Sequence, residues 1–212
     1  MTDYARGIRV CPVARSIDRR SVLALVLLSL LAEEPMHPYR MREVIKERGK
    51  DRVANVAQRN SVYQTIDRLM RAELVAVRET ARDERRPERT VYEITDAGWD
   101  ALRTWTAEIL ESPAREFPEF PAALATVMVL TPEDVTARLA KRVAELTTSL
   151  AADREALRAV PELPRLFLLD EEYSIAVREA ELKWIEGVLT ALRSGELVWS
   201  EEWIRAVAEK FA

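Results

Sequence analysis

The chain has 212 residues, of which 48% are hydrophobic and 32% charged, enough for one large or two small domains. One cysteine (Cys11), one histidine (His37) and five glycines exclude disulfide frameworks, multi-cysteine or multi-histidine zinc sites and glycine-rich phosphate loops. The net charge of −4 is uneven, because residues 1–98 carry +4 and residues 99–212 carry −8, so a basic half that suits a polyanion precedes an acidic half.

The chain opens with an irregular arm and two predicted helices. Residues 1–20 show no sustained hydrophobic period and are predicted to be a mobile arm. Ser21 can cap a buried helix over about 22–32. A second helix over about 39–48 is expected to end at Gly49.

The third predicted helix, about 59–72, has two unlike faces. At 100° per residue, one narrow stripe is apolar: Val62, Ile66, Leu69 and Met70. The opposite face is polar: Asn60, Gln64, Asp67, Arg68 and Arg71, with Tyr63 at its flank. The pattern predicts an amphipathic helix that is anchored on one side and open to solvent or a partner on the other.

A hairpin with a basic turn follows. Residues 74–80 and 90–94 show the alternation of two strands, and the turn between them, 81–89, carries four arginines: Arg82, Arg85, Arg86 and Arg89. Thr95 can then cap a fourth helix that runs to about residue 110. Three helices followed by a hairpin indicate a winged helix-turn-helix domain, which we assign to 21–112.

The remainder of the chain is predicted to be helical. A proline-rich linker, 113–121, leads to a helical domain over 122–212. It contains a short helix at 122–130, a long one from Thr131 to about residue 160, a partner helix over about 165–193 that stops at Gly195, and a last helix beginning at Ser200. The fold class is therefore mostly α with a small β-hairpin wing, followed by an all-helical, coiled-coil-like dimerisation domain.

The long helices carry heptad-like apolar stripes. Packing within the chain is the default interpretation of such stripes. Because the pair is long and Phe167, Ile185 and Leu189 lie off the main stripe of the partner helix, we also predict a homodimer. The predicted dimerisation residues are Leu139, Val143, Leu146, Leu150, Leu157, Tyr173, Val177, Trp184 and Val188.

The third helix and the turn together favour DNA as the partner. Asn and Gln can bond adenine in the major groove, Arg can bond guanine, and hydroxyl and guanidinium groups can reach phosphates. A solvated amphipathic helix is the competing interpretation, and Asp67 favours it. The predicted DNA-binding residues are Arg59, Asn60, Ser61, Tyr63, Gln64, Arg68, Arg82, Arg85, Arg86, Arg89, His37 and Tyr39.

Several aromatic residues suit a pocket for a small aromatic or cationic effector, although plain packing is the commoner role of such side chains. The candidates are Trp99, Trp105, Tyr173 and Trp184. No apolar run approaches the length of a bilayer span, and the single cysteine fits the cytoplasm, so we predict a cytoplasmic protein without a membrane partner.

Three stretches, PMHPYRM, NSVYQTIDRLMRAELV and TVYEITDAGWDAL, resemble the winged-helix domain of PadR-family transcriptional regulators. The matching positions are His37, Tyr39, Tyr63, Leu69, Tyr92, Thr95 and Gly98. The later stretches FPAALATVMVLTPEDVTARL and REAELKWIEGVLTAL resemble the helical dimerisation domain of long family members. Pro38 stands where the family usually has Gly, and the wing lacks glycine.

The resemblance implies a dimeric, operator-binding repressor that a small molecule releases. The alternative is a helical adaptor whose winged helix binds a protein instead of DNA. An enzyme is not predicted, because the chain offers no nucleophile, base and phosphate loop in combination.

Overall fold

The computed structural model describes residues 21–56, 59–81, 89–114 and 116–211. The chain forms two compact units that divide between Arg115 and Glu116. Within the described part, the secondary structure is helical apart from one two-stranded antiparallel sheet and an isolated bridge, which confirms the predicted fold class. The predicted arm, 1–20, and most of the predicted turn, 82–88, lie outside the described residues. No helix in the described ranges is long and apolar enough to span a membrane.

The N-terminal unit has the element order of a winged helix-turn-helix. Its elements are α1 (Val22–Glu33), α2 (Pro38–Glu47), α3 (Arg59–Arg71), β1 (Val75–Ala81), β2 (Arg89–Ile94) and α4 (Asp96–Glu111). A 3-10 turn, Lys50–Arg52, lies between α2 and α3. All six predicted elements are present, within two residues of their expected bounds.

The helix starts follow the capping residues that the sequence supplies. The Ser21 hydroxyl accepts a hydrogen bond from the Ala24 amide at 3.1 Å. His37 caps α2, and Pro38 occupies the first helical position, where a missing N–H costs nothing. Proline in place of the usual glycine therefore suits this helix start. At the other end of α2, Gly49 takes a left-handed conformation with φ 66°, as its position predicted.

One continuous apolar core holds the N-terminal unit together. Fourteen buried apolar residues of the described chain form it, twelve from α1, α2, α3 and the start of β1, together with Met36 and Val56 from the connections before α2 and α3. Helix α1 supplies five of them, in keeping with its apolar character on nearly all sides. Met36 forms the isolated bridge, because its amide and carbonyl both pair with those of Tyr92 at 3.0 and 3.2 Å. The hairpin is thereby tied to the connection between α1 and α2.

The C-terminal unit consists of α5 (Glu119–Ala125), α6 (Pro132–Arg158), α7 (Leu169–Ser194) and α8 (Glu201–Phe211), with 3-10 turns at Val127–Val129 and Arg165–Leu168. Helix α5 begins within the predicted linker 113–121, because Pro121 falls in its first turn, where proline is tolerated. Gly195 ends α7 in the left-handed conformation, with φ 76°.

Helices α6 and α7 pack antiparallel, but α7 uses a different face from the one its main stripe suggested. Its buried residues are Ile175, Ile185 and Leu189, and the last two pack in one cluster with Val135 and Leu139 of α6. The predicted dimerisation residues of α7 instead lie largely on the surface: Tyr173, Val177 and Trp184 are all exposed. At 100° per residue the two apolar faces of α7 are well separated, so the helix packs on one and presents the other to solvent.

A buried ion pair interrupts the α6 seam. The carboxylate of Asp153, 4% exposed, lies 2.6 Å from Nη1 of Arg178 on α7. Nε of Arg178 donates to the Ser174 carbonyl at 3.2 Å. The acidic residue on the apolar side of α6 is thus paired with a charge from the neighbouring helix.

Candidate nucleic-acid interface

Helix α3 is anchored along one side and exposed along the other. Its buried side chains are Val62, Thr65, Ile66 and Leu69, each at most 3% exposed. Spacings of three and four residues place these four on a single face against the core. The sequence pattern had missed Thr65, although its position between Val62 and Leu69 was the available signal.

The opposite side of α3 presents polar side chains to solvent: Asn60, Gln64, Asp67, Arg68 and Arg71. The Nη2 of Arg68 donates to the Thr65 hydroxyl at 3.1 Å. Nε of Arg71 donates to the Asp67 carbonyl at 3.2 Å. Both guanidinium groups are therefore held along the helix surface while remaining accessible to a partner.

Two aromatic rings meet at the junction of α2 and α3. The rings of His37 and Tyr63 lie edge to face, with centroids 6.4 Å apart. Nδ1 of His37 accepts a hydrogen bond from the Tyr39 amide at 3.0 Å, so the neutral ring carries its proton on Nε2. The side chain of Tyr39 is 51% exposed. The structure thus brings His37, Tyr39 and Tyr63 together at the positive end of the α2 dipole.

The hairpin contributes a neutral phenol beside the polar face. Burial raises the pKa of Tyr92, and the nearby Asp67 and Tyr63 add to the effect. Tyr92 is therefore uncharged at neutral pH, and Asp67 is the acidic group of this region of α3. An acidic residue near a phosphate backbone is unfavourable, which limits how closely this part of the helix suits DNA.

The start of α3 is tied to α2. The Nε of Arg42 donates to the Val56 carbonyl at 3.2 Å, which fixes the chain just before the helix. At the ends of α1 and α2, the guanidinium of Arg48 donates hydrogen bonds to both carboxylate oxygens of Glu33, at 2.6 and 2.7 Å. That pairing holds the pKa of the Glu33 carboxyl below its ordinary value.

The end of α3 is closed by a Schellman motif. The amides of Leu74 and Glu73 donate to the carbonyls of Leu69 and Met70 at 3.0 and 2.9 Å. Glu73 occupies the left-handed position with φ 60°, where glycine is usual. The motif turns the chain sharply from α3 into β1.

The start of α4 locks onto this same turn. The Thr95 hydroxyl donates to the Glu73 carbonyl at 2.8 Å, and its amide donates to the Leu74 carbonyl at 3.1 Å. Gly98 lies so close that a Cβ there would stand 2.1 Å from the Leu74 carbonyl oxygen. The Thr95 and Gly98 motif therefore joins α3, the hairpin and α4 in one junction.

Some predicted DNA-binding residues cannot be placed as side chains. Arg82, Arg85 and Arg86 lie outside the described residues. Arg59 begins α3 and Arg89 begins β2, and only their backbone positions are described. Asn60, Gln64 and Arg68 are exposed on α3, Tyr63 meets His37 beside the exposed Tyr39, and Ser61 is half-buried.

The four effector candidates fall into two pairs, one in each unit. In the N-terminal unit, Trp105 packs against the core. The guanidinium carbon of Arg103 lies over the ring of Trp99, 5.3 Å from the ring centroid. In the C-terminal unit, Tyr173 is exposed and Trp184 meets the ring of Phe120 edge to face. No group of three or more potential metal ligands occurs among the residues described.

The predicted dimerisation residues also differ in exposure. Leu139 and Leu150 are buried within the C-terminal unit, and Val143, Leu146, Leu157 and Val188 are half-buried. Tyr173, Val177 and Trp184 are exposed. The last three are the most exposed of the set.

The comparisons with known proteins agree with this geometry. Residues 27–104 match the sequence model of the family described as the transcriptional regulator PadR-like family. This range contains α3, the hairpin and most of α4, so the resemblance to PadR-like regulators is confirmed there. No curated protein sequence matches the chain.

Solved structures extend the likeness in fold. PadR of Bacillus subtilis in complex with operator DNA is 16% identical, with a TM-score of 0.66 over 81% of this chain and 99% of that one. The same protein in complex with p-coumaric acid is 16% identical, with a TM-score of 0.66 over 82% of this chain and 99% of that one. The virulence activator AphA of Vibrio cholerae is 25% identical, with a TM-score of 0.60 over 81% and 98%. This chain therefore has the same fold as these regulators, a winged helix followed by a helical C-terminal region.

Proposed function

We propose that this chain, which carries a PadR-like domain at residues 27–104, is a homodimeric, cytoplasmic repressor that binds operator DNA and catalyses no reaction. The observation that carries the proposal is the division of α3 into a face sealed in the core and a face of exposed amide and guanidinium groups. In a winged helix-turn-helix, the helix in this position enters the major groove.

The side chains on that face have the chemistry of base recognition. Gln64 and Asn60 can each accept one hydrogen bond from adenine and donate another to it. Arg68 can donate two hydrogen bonds to guanine. Tyr39, Tyr63 and His37 lie at one end of α3, where they can donate to phosphates and fix the register. The B. subtilis PadR structure with operator DNA supports this use of the fold.

Dimerisation is supported by the exposed apolar side of α7. Tyr173, Val177 and Trp184 are 73%, 48% and 49% exposed and lie on one side of a 26-residue helix. A two-fold dimer built on this face would present two α3 helices to the half-sites of a palindrome.

Release by a small molecule is the finer part of the proposal. The B. subtilis PadR structure in complex with p-coumaric acid supports the binding of an aromatic compound by this fold. We propose that an effector binds this chain as well, and that its binding lowers the affinity for the operator.

The first test measures base recognition by Gln64. Gln64→Ala should lower the preference for one base pair by about 1–3 kcal/mol, because the bidentate contact is lost while the phosphate contacts remain. Fluorescence anisotropy with DNA from upstream of the protein's own gene, and with single-base variants of it, gives this preference. Equal weakening on every sequence would contradict the role of Gln64, and no binding to any DNA at low salt would favour the adaptor alternative.

The second test concerns the wing. Arg85→Ala combined with Arg86→Ala should weaken specific and random DNA alike and flatten the dependence of affinity on salt, because phosphate contacts are lost. Arg103→Ala in α4, which removes an exposed arginine outside the proposed interface, is the control and should leave the slope unchanged. If the double variant kept the full salt slope, the wing would not contact DNA.

The third test concerns the dimer. Val177→Glu should shift the protein toward monomer, since the charge must be desolvated at the proposed interface. Thr190→Glu places the same charge on an exposed part of α7 away from both apolar faces and should leave the mass unchanged. Light scattering across a concentration series distinguishes the two, and a Val177→Glu dimer as stable as the parent would exclude this face.

A further inference from the structure

We infer that the C-terminal unit binds an uncharged, largely apolar small molecule with an aromatic ring, in a groove that α8 closes against α6 and α7. The groove has a volume of about 550 Å³, within the range typical of ligand sites. Each of its fourteen lining residues is apolar. The inference concerns this unit alone and does not depend on DNA binding.

The walls of the groove are fixed in place by hydrogen bonds and packing. Nε1 of Trp199 donates to the Leu130 carbonyl at 2.9 Å, which holds this indole across the connection into α6. The amide of Leu197 donates to the Ala191 carbonyl at 3.0 Å, and the left-handed Gly195 turns the chain back toward α8. Phe120 meets the lining residue Trp184 edge to face. These contacts hold three lining residues, Trp199, Leu197 and Trp184, in place.

The base of the groove belongs to the packed core of the unit. Val135 and Leu139 line it and are only 5% and 6% exposed. The rim is open to solvent, because Trp184, Trp203 and Val198 are 49%, 57% and 64% exposed. Apolar walls give water few polar partners, so an apolar ligand would gain contacts that water cannot provide.

The lining selects the class of ligand. Trp184, Trp199 and Trp203 offer three indole rings for stacking or edge contacts. No lining residue carries a charge, so a carboxylate or an ammonium group would lose hydration without gaining a partner. The groove therefore favours a neutral aromatic compound over the cationic effector that the sequence suggested as one option, and over an acid such as the one bound to B. subtilis PadR.

The groove shares Trp184 with the proposed dimer face but differs from it in shape. Its lining comes from α5, the following 3-10 turn, α6, α7, the 197–199 segment and α8, which surround one hollow. The exposed side of α7 at Tyr173 and Val177 is the convex surface of a single helix. A concave site with several walls suits a small molecule, and a convex stripe suits a second helix.

The test uses a matched pair of fluorescent probes on the full chain without DNA. N-phenyl-1-naphthylamine is neutral, and 1-anilinonaphthalene-8-sulfonate is the same ring system with a negative charge. We expect the neutral probe to bind once per chain with a blue-shifted emission, and at least tenfold more tightly than the sulfonate. Absence of binding, or equal binding of the two probes, would overturn the inference.

Two variants place the site. Ala208→Trp fills the groove from α8 and should weaken the neutral probe at least tenfold, whereas Ala206→Trp adds the same side chain outside the lining and should change its affinity less than twofold. Circular dichroism checks that both variants retain their helices. Equal effects of the two variants would remove the site from this groove.

Light scattering during the titration separates the ligand from a second copy of the chain as the occupant. An unchanged mass on probe binding supports a small-molecule site. Probe affinity that falls as the chain associates at higher protein concentration would show that another copy covers the groove, and would overturn the inference. Because no step involves DNA, failure of the repressor proposal leaves these results unaffected.

Discussion

The two units solve the problem of burying apolar side chains in opposite ways. In the described part of the N-terminal unit, fourteen buried apolar residues form one core. In the described part of the C-terminal unit the main cluster has four. Of the twenty-two large hydrophobic residues that are exposed among those described, fifteen belong to the C-terminal unit. The first unit is completed by its own chain, and the second carries apolar surface that suits a partner or a ligand.

This contrast makes different changes harmful in each unit. In a tightly closed unit, added volume has no room and is costly. In a unit held by two long helices, the loss of one buried polar contact between them matters more than a change on the surface. Three predictions follow this reasoning, in order of decreasing effect.

Gly98→Ala should produce the largest loss, about 4 kcal/mol in the free energy of unfolding of the N-terminal unit. The new Cβ would meet the Leu74 carbonyl oxygen at 2.1 Å and Cγ1 of Ile94 at 2.7 Å, and the backbone atom cannot move aside cheaply. Urea unfolding followed by circular dichroism measures the loss, and hydrogen exchange shows which unit opens.

The matched control is Gly187→Ala in α7. Nothing lies within 4 Å of its Cβ position, so this change should stabilise the C-terminal unit by about 1 kcal/mol through helix propensity. If both alanines had equal effects, the N-terminal unit would not be the more tightly closed of the two.

Asp153→Ala should cost about 3 kcal/mol in the C-terminal unit, because the partly buried guanidinium of Arg178 would lose its charged partner. The exposed pair Arg154 and Glu179 is the control, and Glu179→Ala should cost less than about 1 kcal/mol. Asp153→Leu combined with Arg178→Met should recover most of the stability, since the pair would be replaced by apolar packing. A double variant as unstable as Asp153→Ala would show that the ion pair itself is required. Urea unfolding measures all four proteins.

Glu73→Gly should have the smallest effect and the opposite sign, a gain of about 1 kcal/mol in the N-terminal unit. Glycine relieves the left-handed conformation that Glu73 holds at the end of α3. Glu108→Gly, in the exposed interior of α4, should lose about 1 kcal/mol. Thermal unfolding of the two variants gives the comparison, and a loss in both would mean that the Glu73 side chain contributes more than its backbone strain costs.

Local signals predicted the elements of both units because caps and periodicity act over a few residues. Ser21, Thr95 and Thr131 each cap the helix that the sequence assigned to them. The two apolar faces of α7 were harder to assign, because periodicity shows that a face is apolar and leaves open what covers it. Ile185 and Leu189 seemed surplus and belong to the core, whereas Tyr173 and Val177 lie on the surface.

Tertiary contacts explain what the sequence motifs left open at the candidate site. The Thr95 and Gly98 motif was visible as a pattern, but its reason, the close approach to Leu74, requires the folded chain. The pairing of His37 with Tyr63 spans 26 positions and has no local signal. The groove beside α8 likewise arises from residues more than 80 positions apart, of which Trp184 alone was among the effector candidates.

The junction at Leu74 has a consequence for how such a molecule could be regulated. Since α3, the hairpin and the start of α4 meet there through hydrogen bonds and a contact that only glycine permits, α3 cannot tilt without carrying the hairpin with it. Each N-terminal unit would then move as a rigid body. In the proposed dimer, an effector would act by changing the distance between the two α3 helices, which must match the spacing of the operator half-sites.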